Sequence, residues 1–195
     1  MRQQHLNVML ALPFAASVLG AGEAAAATPC DMIAGNLVMN CGFENTTVWS
    51  PGVNQDPNPH TGMFADALGS STSGNTAQQT ITTVMGATYT LTFWAANNPQ
   101  NVGFATFSVD VSFGGTSVLT TPSLASATYE EFTTTVTATS TSSLLEFDGG
   151  GGIYGGDIDD VSLVLASPTP APEPASLALL ATGLAGLTGL RRRRR

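Results

Sequence analysis

Between residues 28 and 167 the apolar positions recur every second residue and nowhere every third or fourth. Residues 88–95 place Tyr89, Leu91, Phe93 and Ala95 on one face and Thr88, Thr90, Thr92 and Trp94 on the other. Phe107, Val109, Val111 and Phe113 alternate with Ser108, Asp110 and Ser112. Gly114-Gly115 reads as a hairpin turn into 116–120. Further strands are expected over 132–138, 144–147 and 158–165, the last with Val161, Leu163 and Leu165 inward. The glycine run Gly149 to Gly152 reads as a flexible loop. Short period-two strands separated by Gly, Pro, Asn and Ser clusters predict an all-β, two-sheet sandwich, a jelly roll, as one domain over 28–167.

The pattern changes at both ends. Arg2, the apolar run Val8 to Leu19 and the small residues Ala24 to Ala27 have the layout of a secretory signal peptide over 1–27, with Ala25-x-Ala27 as the cleavage site. Residues 168–174 form a proline-rich linker. Residues 175–190 are apolar or small, long enough for a helix of about 24 Å. With flanking arginines this predicts a transmembrane segment within 175–195, its basic end cytoplasmic and the body on the exported side.

Pro172-Glu173-Pro174, the Leu/Gly/Ala-rich span and Arg191, Arg192, Arg193, Arg194 and Arg195 resemble, in that order, the PEP-CTERM sorting signal of Gram-negative bacteria. The resemblance implies a membrane-anchored precursor and processing by an exosortase-type membrane protease. It also implies a host that makes extracellular polysaccharide, and a destination in the envelope, at the cell surface or in a biofilm matrix. An ordinary tail anchor on a proline-rich stalk is the alternative.

Charge narrows the function. The chain has 14 acidic and 6 basic side chains, a net charge of −8. The basic ones are Arg2 and Arg191 to Arg195, so no Lys or Arg stands between Gln3 and Leu190. Setting aside Glu23 and Glu173 leaves 12 acids in the body. Phosphate backbones need Lys and Arg, so nucleic acid is excluded as a partner. A buried carboxylate is costly unless paired. Without cationic side chains, backbone N–H groups or a hard cation must serve.

Asn36 to Glu44, followed by Trp49, resembles the opening strand of galactose-binding-like jelly rolls, a group that includes carbohydrate-binding modules and DUF642-like exported proteins. Cys41 stands where that group has the first glycine of a pair. His60 to Gly69, Gln79 to Trp94, Tyr129 to Ala138, Leu145 to Asp148 and Ile158 to Leu163 resemble the later blocks in order. The resemblance implies that Glu44, at the end of the first strand, lies beside Asp159 and Asp160 on the last. It also implies a structural calcium there, held by Glu44 and Asp160 with Asp159 next.

Cys30 and Cys41, the two cysteines of an exported body, are expected to form a disulfide; two buried thiols are the alternative. A sugar site needs an aromatic platform with polar neighbours. The candidates are Trp49, Trp94, Tyr129 and Tyr154, with Asn97, Asn98 and Gln100 beside them. No nucleophile–histidine arrangement or phosphate loop is present in the sequence, so no catalytic residue is assigned. The expected role is a non-catalytic surface or matrix protein associating with carbohydrate or exopolysaccharide. The alternatives are a purely structural or adhesive envelope protein and a weak glycoside-active enzyme.

Overall fold

The computed structural model describes residues 28–69 and 76–166. The expected signal peptide, linker, Pro172-Glu173-Pro174 motif and arginine-ended tail lie outside the described residues. Nine strands run β1 Gln55–Asp56, β2 Ala65–Leu68, β3 Thr76–Thr82, β4 Thr88–Asn97, β5 Phe107–Phe113, β6 Thr116–Thr120, β7 Glu130–Thr137, β8 Ser142–Gly151 and β9 Gly156–Leu165. They form a five-stranded sheet, β1-β2-β9-β4-β7, and a four-stranded sheet, β3-β8-β5-β6. All pairings are antiparallel. The chain is an all-β sandwich, as the alternation requires.

The core lies between the inner faces. Leu91, Phe93, Val161 and Leu163 of the first sheet meet Val109, Val111, Leu145 and Phe147 of the second, all fully buried. Phe93 meets Phe147 edge-on, with ring centroids 5.1 Å apart. Leu165, expected inward, is exposed because β9 runs past the end of this core.

Two local expectations are corrected. Residues 36–44 are not a strand. Asn40 and Phe43 have φ of 50° and 56°, which bends the chain out of extended geometry. The segment still runs beside β9. Leu37 N–H donates to Leu163 O (3.0 Å) and Val161 N–H to Cys41 O (2.9 Å). The Asn36 amide fills in for missing ladder bonds, accepting from Leu163 N–H (2.9 Å) and donating to Val161 O (3.2 Å).

The glycine run is the second. Gly149, Gly150 and Gly151 belong to β8 and pair with Val109, Ser108 and Phe107 of β5. At Gly149 and Gly151 other atoms already occupy the side-chain space. A Cβ on Gly149 would stand 2.5 Å from Leu68 Cβ, and one on Gly151 3.0 Å from Thr106 O. A Cβ on Gly156 would enter the Phe107 ring.

Cys30 and Cys41 form a disulfide that pins the N-terminal 3₁₀ turn, Pro29–Met32, to the segment beside β9. Both are buried. The turn starts at Thr28, whose N–H and hydroxyl both donate to Asp31 Oδ2 (2.9 and 3.0 Å). Closing so short a loop is worth about 3 kcal/mol in the chain-entropy model.

Two outcomes follow for stability. Replacing both cysteines with serine should cost about 2–4 kcal/mol in urea titrations; an unchanged midpoint would show that the bridge restrains nothing. Gly156→Ala should cost about 1–3 kcal/mol by overpacking against Phe107, and a neutral result would mean that this packing is loose.

Candidate functional site

The outer face of the five-stranded sheet carries Trp94 and Ala96 on β4, Asp157 and Asp159 on β9, Ala65 and Ala67 on β2, and Asp56 on β1. The registers Trp94↔Asp159, Ala96↔Asp157, Ala67↔Asp157 and Asp56↔Ala65 set this arrangement. A β-bulge between Thr92 and Trp94 puts an extra residue into β9, where Asp160 takes φ 48°. Bulges re-aim side chains. This one lets the consecutive Asp159 and Asp160 both meet the loop that crosses this face, residues 57–64.

That loop is held by carboxylates. Asp159 Oδ2 accepts from the backbone N–H of His60 (2.8 Å) and Thr61 (3.0 Å), and its Oδ1 accepts from Asp160 N–H (2.7 Å). Asp160 Oδ2 meets His60 Nδ1 (2.8 Å) and accepts from Thr61 Oγ1 (2.8 Å). Glu44 Oε1 accepts from Met63 N–H (2.7 Å) and Phe64 N–H (3.3 Å). Gly62 at the loop's centre has φ +73°, and a Cβ there would enter Glu44 Oε1. Glycine is therefore required on both counts.

The expected calcium ligands thus all contact one loop. Of their six oxygens, five accept N–H or O–H donors from the described residues. Among the described residues, one group of three candidate ligands lies within 4.8 Å, Cys30, Asp31 and Cys41. Both its sulfurs are in the disulfide and cannot bind a metal.

The aromatic candidates separate. Trp49 is in the core, 4% exposed, tilted against Phe43 and Phe147, and its indole N–H donates to Asn40 O (3.0 Å). That placement gives it no face to offer a ligand. Trp94 is half-buried on the outer face, with His60 stacked on it at 3.9 Å. Tyr129 lies 5.4 Å from His60, and its hydroxyl donates to Asn58 O (2.8 Å). Tyr154 is exposed at the β8–β9 turn, away from this group. Asn97 and Asn98 are buried and structural: Asn97 Nδ2 donates to Ala105 O (2.8 Å) and Asn98 Oδ1 accepts from Gln100 N–H (2.9 Å). Gln100 is exposed. A pocket of about 280 Å³ opens beside Trp94, lined among others by His60, Thr61, Glu131, Asp160 and Ser162.

Two acids not singled out from the sequence, Asp157 and Asp66, join Asp159 in setting the electrostatics. Asp157 is 1% exposed; burial, then the charges of Asp56, Asp66 and Asp159, push its carboxyl up to about 8. Asp66 is pushed up to about 7 by burial, against one N–H from Asn54. Asp159 rises to about 7, because burial outweighs its backbone donors. Burial and the carboxyls of Asp157, Asp159, Asp56 and Asp160 hold the Tyr129 phenol well above its ordinary range. The sequence signal was available: Asp157 shares the Asp159 face at two-residue spacing, in a strand with no basic residue to meet it.

Residues 170–195 match the family model described as the PEP-CTERM protein-sorting motif. The motif marks an exported protein sorted to the cell envelope. No curated protein matches the chain. Among solved structures, the chain is similar to a xylan-binding domain of carbohydrate-binding-module family 22. Identity is 14% over 70% of this chain and 99% of that one, with a TM-score of 0.53. It is also similar to the C-terminal family 22 carbohydrate-binding module of Clostridium thermocellum Xyn10B. There identity is 14% over 70% and 98%, with a TM-score of 0.52. The likeness is one of fold: the body has the jelly roll of carbohydrate-binding modules.

The buried acids set a pH dependence. Asp66, Asp157 and Asp159 titrate at about 7, 8 and 7 in the folded chain, against 3.8 as the ordinary value. Between these values the folded state holds more protons than the unfolded one. Their contribution is complete below the unfolded value and is lost as pH rises towards 8. In EDTA the Tm should therefore fall by several degrees between about pH 5 and about pH 8. A Tm that rose across this window would show that the acids are solvated.

Proposed function

We propose that this chain is an exported, non-catalytic protein that associates with carbohydrate through the outer face of the five-stranded sheet, around Trp94. The observation that carries the reading is the half-buried Trp94 beside a pocket of about 280 Å³ lined by hydroxyl and carboxylate side chains. Sugars offer an apolar ring face to an aromatic and hydroxyls to polar neighbours, and Thr61, Glu131, Asp160 and Ser162 supply the latter. The likeness in fold to a xylan-binding domain supports the same reading. So does the absence of Lys and Arg from the body, which favours a neutral glycan over an anionic one. Sorting through the C-terminal motif delivers the domain to the envelope, where exopolysaccharide is the available ligand and an exosortase-type protease the processing partner.

No catalytic role is assigned to the acids. Asp159 is fully buried beneath the loop and Asp160 is tied to His60 and Thr61, so neither is free to exchange a proton with a glycosidic oxygen.

One observation favours a second reading, a structural envelope protein with no glycan site. His60 lies flat on Trp94 and so takes up one face of the platform. Affinity electrophoresis through gels containing neutral polysaccharides, xylan among them, separates the two. Retardation in at least one gel, lost in Trp94→Ala while the Tm stays within a few degrees, supports carbohydrate binding. Equal mobility in every gel, for a folded chain, leaves the structural reading. Release of reducing ends from a retarding polysaccharide would overturn the non-catalytic assignment.

A further inference from the structure

The N-terminal turn is joined to the rest of the body through one residue besides the disulfide. Thr28 is fully buried, and its backbone nitrogen donates to Asp31 Oδ2 (2.9 Å), which also accepts from Thr28 Oγ1 (3.0 Å). Its side chain fills the space that two glycines leave. A Cβ on Gly42 would stand 2.4 Å from Thr28 Cγ2, and one on Gly62 2.9 Å from the same atom. Thr28 thus fits the turn into both the segment beside β9 and the loop that carries His60. Pro29, Cys30 and Ile33, further along the turn, line the pocket beside Trp94.

The sequence before Thr28 bears on the same nitrogen. Ala25-Ala26-Ala27 places small residues at the first and third positions before the Ala27–Thr28 bond, the pattern that a signal peptidase reads. Hydrolysis there consumes one water, leaves the carboxylate on Ala27 and puts the amine on Thr28. The nitrogen that donates to Asp31 as an amide is then an α-amino group, mostly protonated at neutral pH because such groups titrate at about 8. An N–H donor that carries charge bonds a carboxylate more strongly than a neutral one. No Lys or Arg lies between Gln3 and Leu190, so the cut gives the body a cation that those side chains do not supply.

We propose that a signal peptidase cuts between Ala27 and Thr28 before the turn closes, and that the α-ammonium so formed docks on the Asp31 carboxylate as the body's built-in cation. The order follows from burial: once Thr28 is seated between Gly42 and Gly62, a protease has no access to the bond before it. Export processing therefore completes the fold at the turn and fixes one wall of the Trp94 pocket. The lock holds whatever that pocket binds.

The chain has no lysine, so the processed protein has one primary amine, its N-terminus, and an amine-acylating reagent reads that group alone. The full chain is expressed with its own N-terminal segment, and the exported product is sequenced from the N-terminus and acylated at neutral pH, with intact mass as the readout. Sequencing should begin at Thr28. Acylation of the folded chain should be roughly tenfold or more slower than in urea, since the reagent takes the uncharged amine and the carboxylate holds the charged one. Asp31→Asn should recover much of that rate. A serine inserted after Ala27 moves the amine one residue away from an intact Asp31; this chain should acylate at close to the unfolded rate and melt several degrees lower. A start at any other residue would overturn the proposal. So would equal acylation of the folded and unfolded parent, or slow acylation that persists in both Asp31→Asn and the insertion chain.

Discussion

The site's architecture depends on how a body without basic side chains accommodates buried carboxylates. Asp159 shows the solution most clearly. It is fully buried and draws three backbone N–H groups, two of them from a loop about a hundred residues earlier in the chain. A carboxylate that collects N–H donors fixes the direction of the peptide groups that supply them. Residues 60–64 are therefore held over the sheet by hydrogen bonds to buried carboxyl groups rather than by apolar burial. Glu44 and Asp160 repeat the device on either side, and Gly62 makes the turn that lets all three reach. With the loop in place, His60 lies on Trp94 and Tyr129 closes on Asn58.

The alternation of apolar residues was sufficient to read β4 and β5, because those strands are half-exposed and their two faces differ, whereas β9 is buried on both faces over Gly156 to Leu163 and shows the alternation only in Val161 and Leu163. It failed where side chains do not report the strand. The glycines of β8 have no side chain to alternate, and at Gly149 and Gly151 the packing of Leu68 and Phe107 against the backbone leaves no room for one. The segment from Asn36 to Glu44 has the apolar residues of a strand but is bent at Asn40 and Phe43, and an asparagine side chain does the hydrogen bonding expected of a ladder. The disulfide pair was legible from compartment and count alone.

The site was legible in kind more than in detail. That acids here need N–H donors or a cation follows from the sequence, since no lysine or arginine lies between the two ends. Which acid receives which answer does not, because it depends on the bulge at Asp160 and on the path of residues 57–64. Trp49 and Trp94 look alike in the sequence. They part because one is drawn under the four-stranded sheet against Phe147 and the other projects from the opposite face of β4.

Asp157 remains the acid that the loop does not satisfy. A protein spends stability on a buried, unpaired carboxyl at a cost that an asparagine of the same shape would reduce. Such departures from the consistency of a fold are expected at sites that receive something from outside. Asp157 also shares its face with Trp94, two residues along β9 from Asp159, the cross-strand partner of Trp94. The unpaired carboxyl and the aromatic platform thus stand on the same wall of the sandwich, the wall that the loop covers only in part.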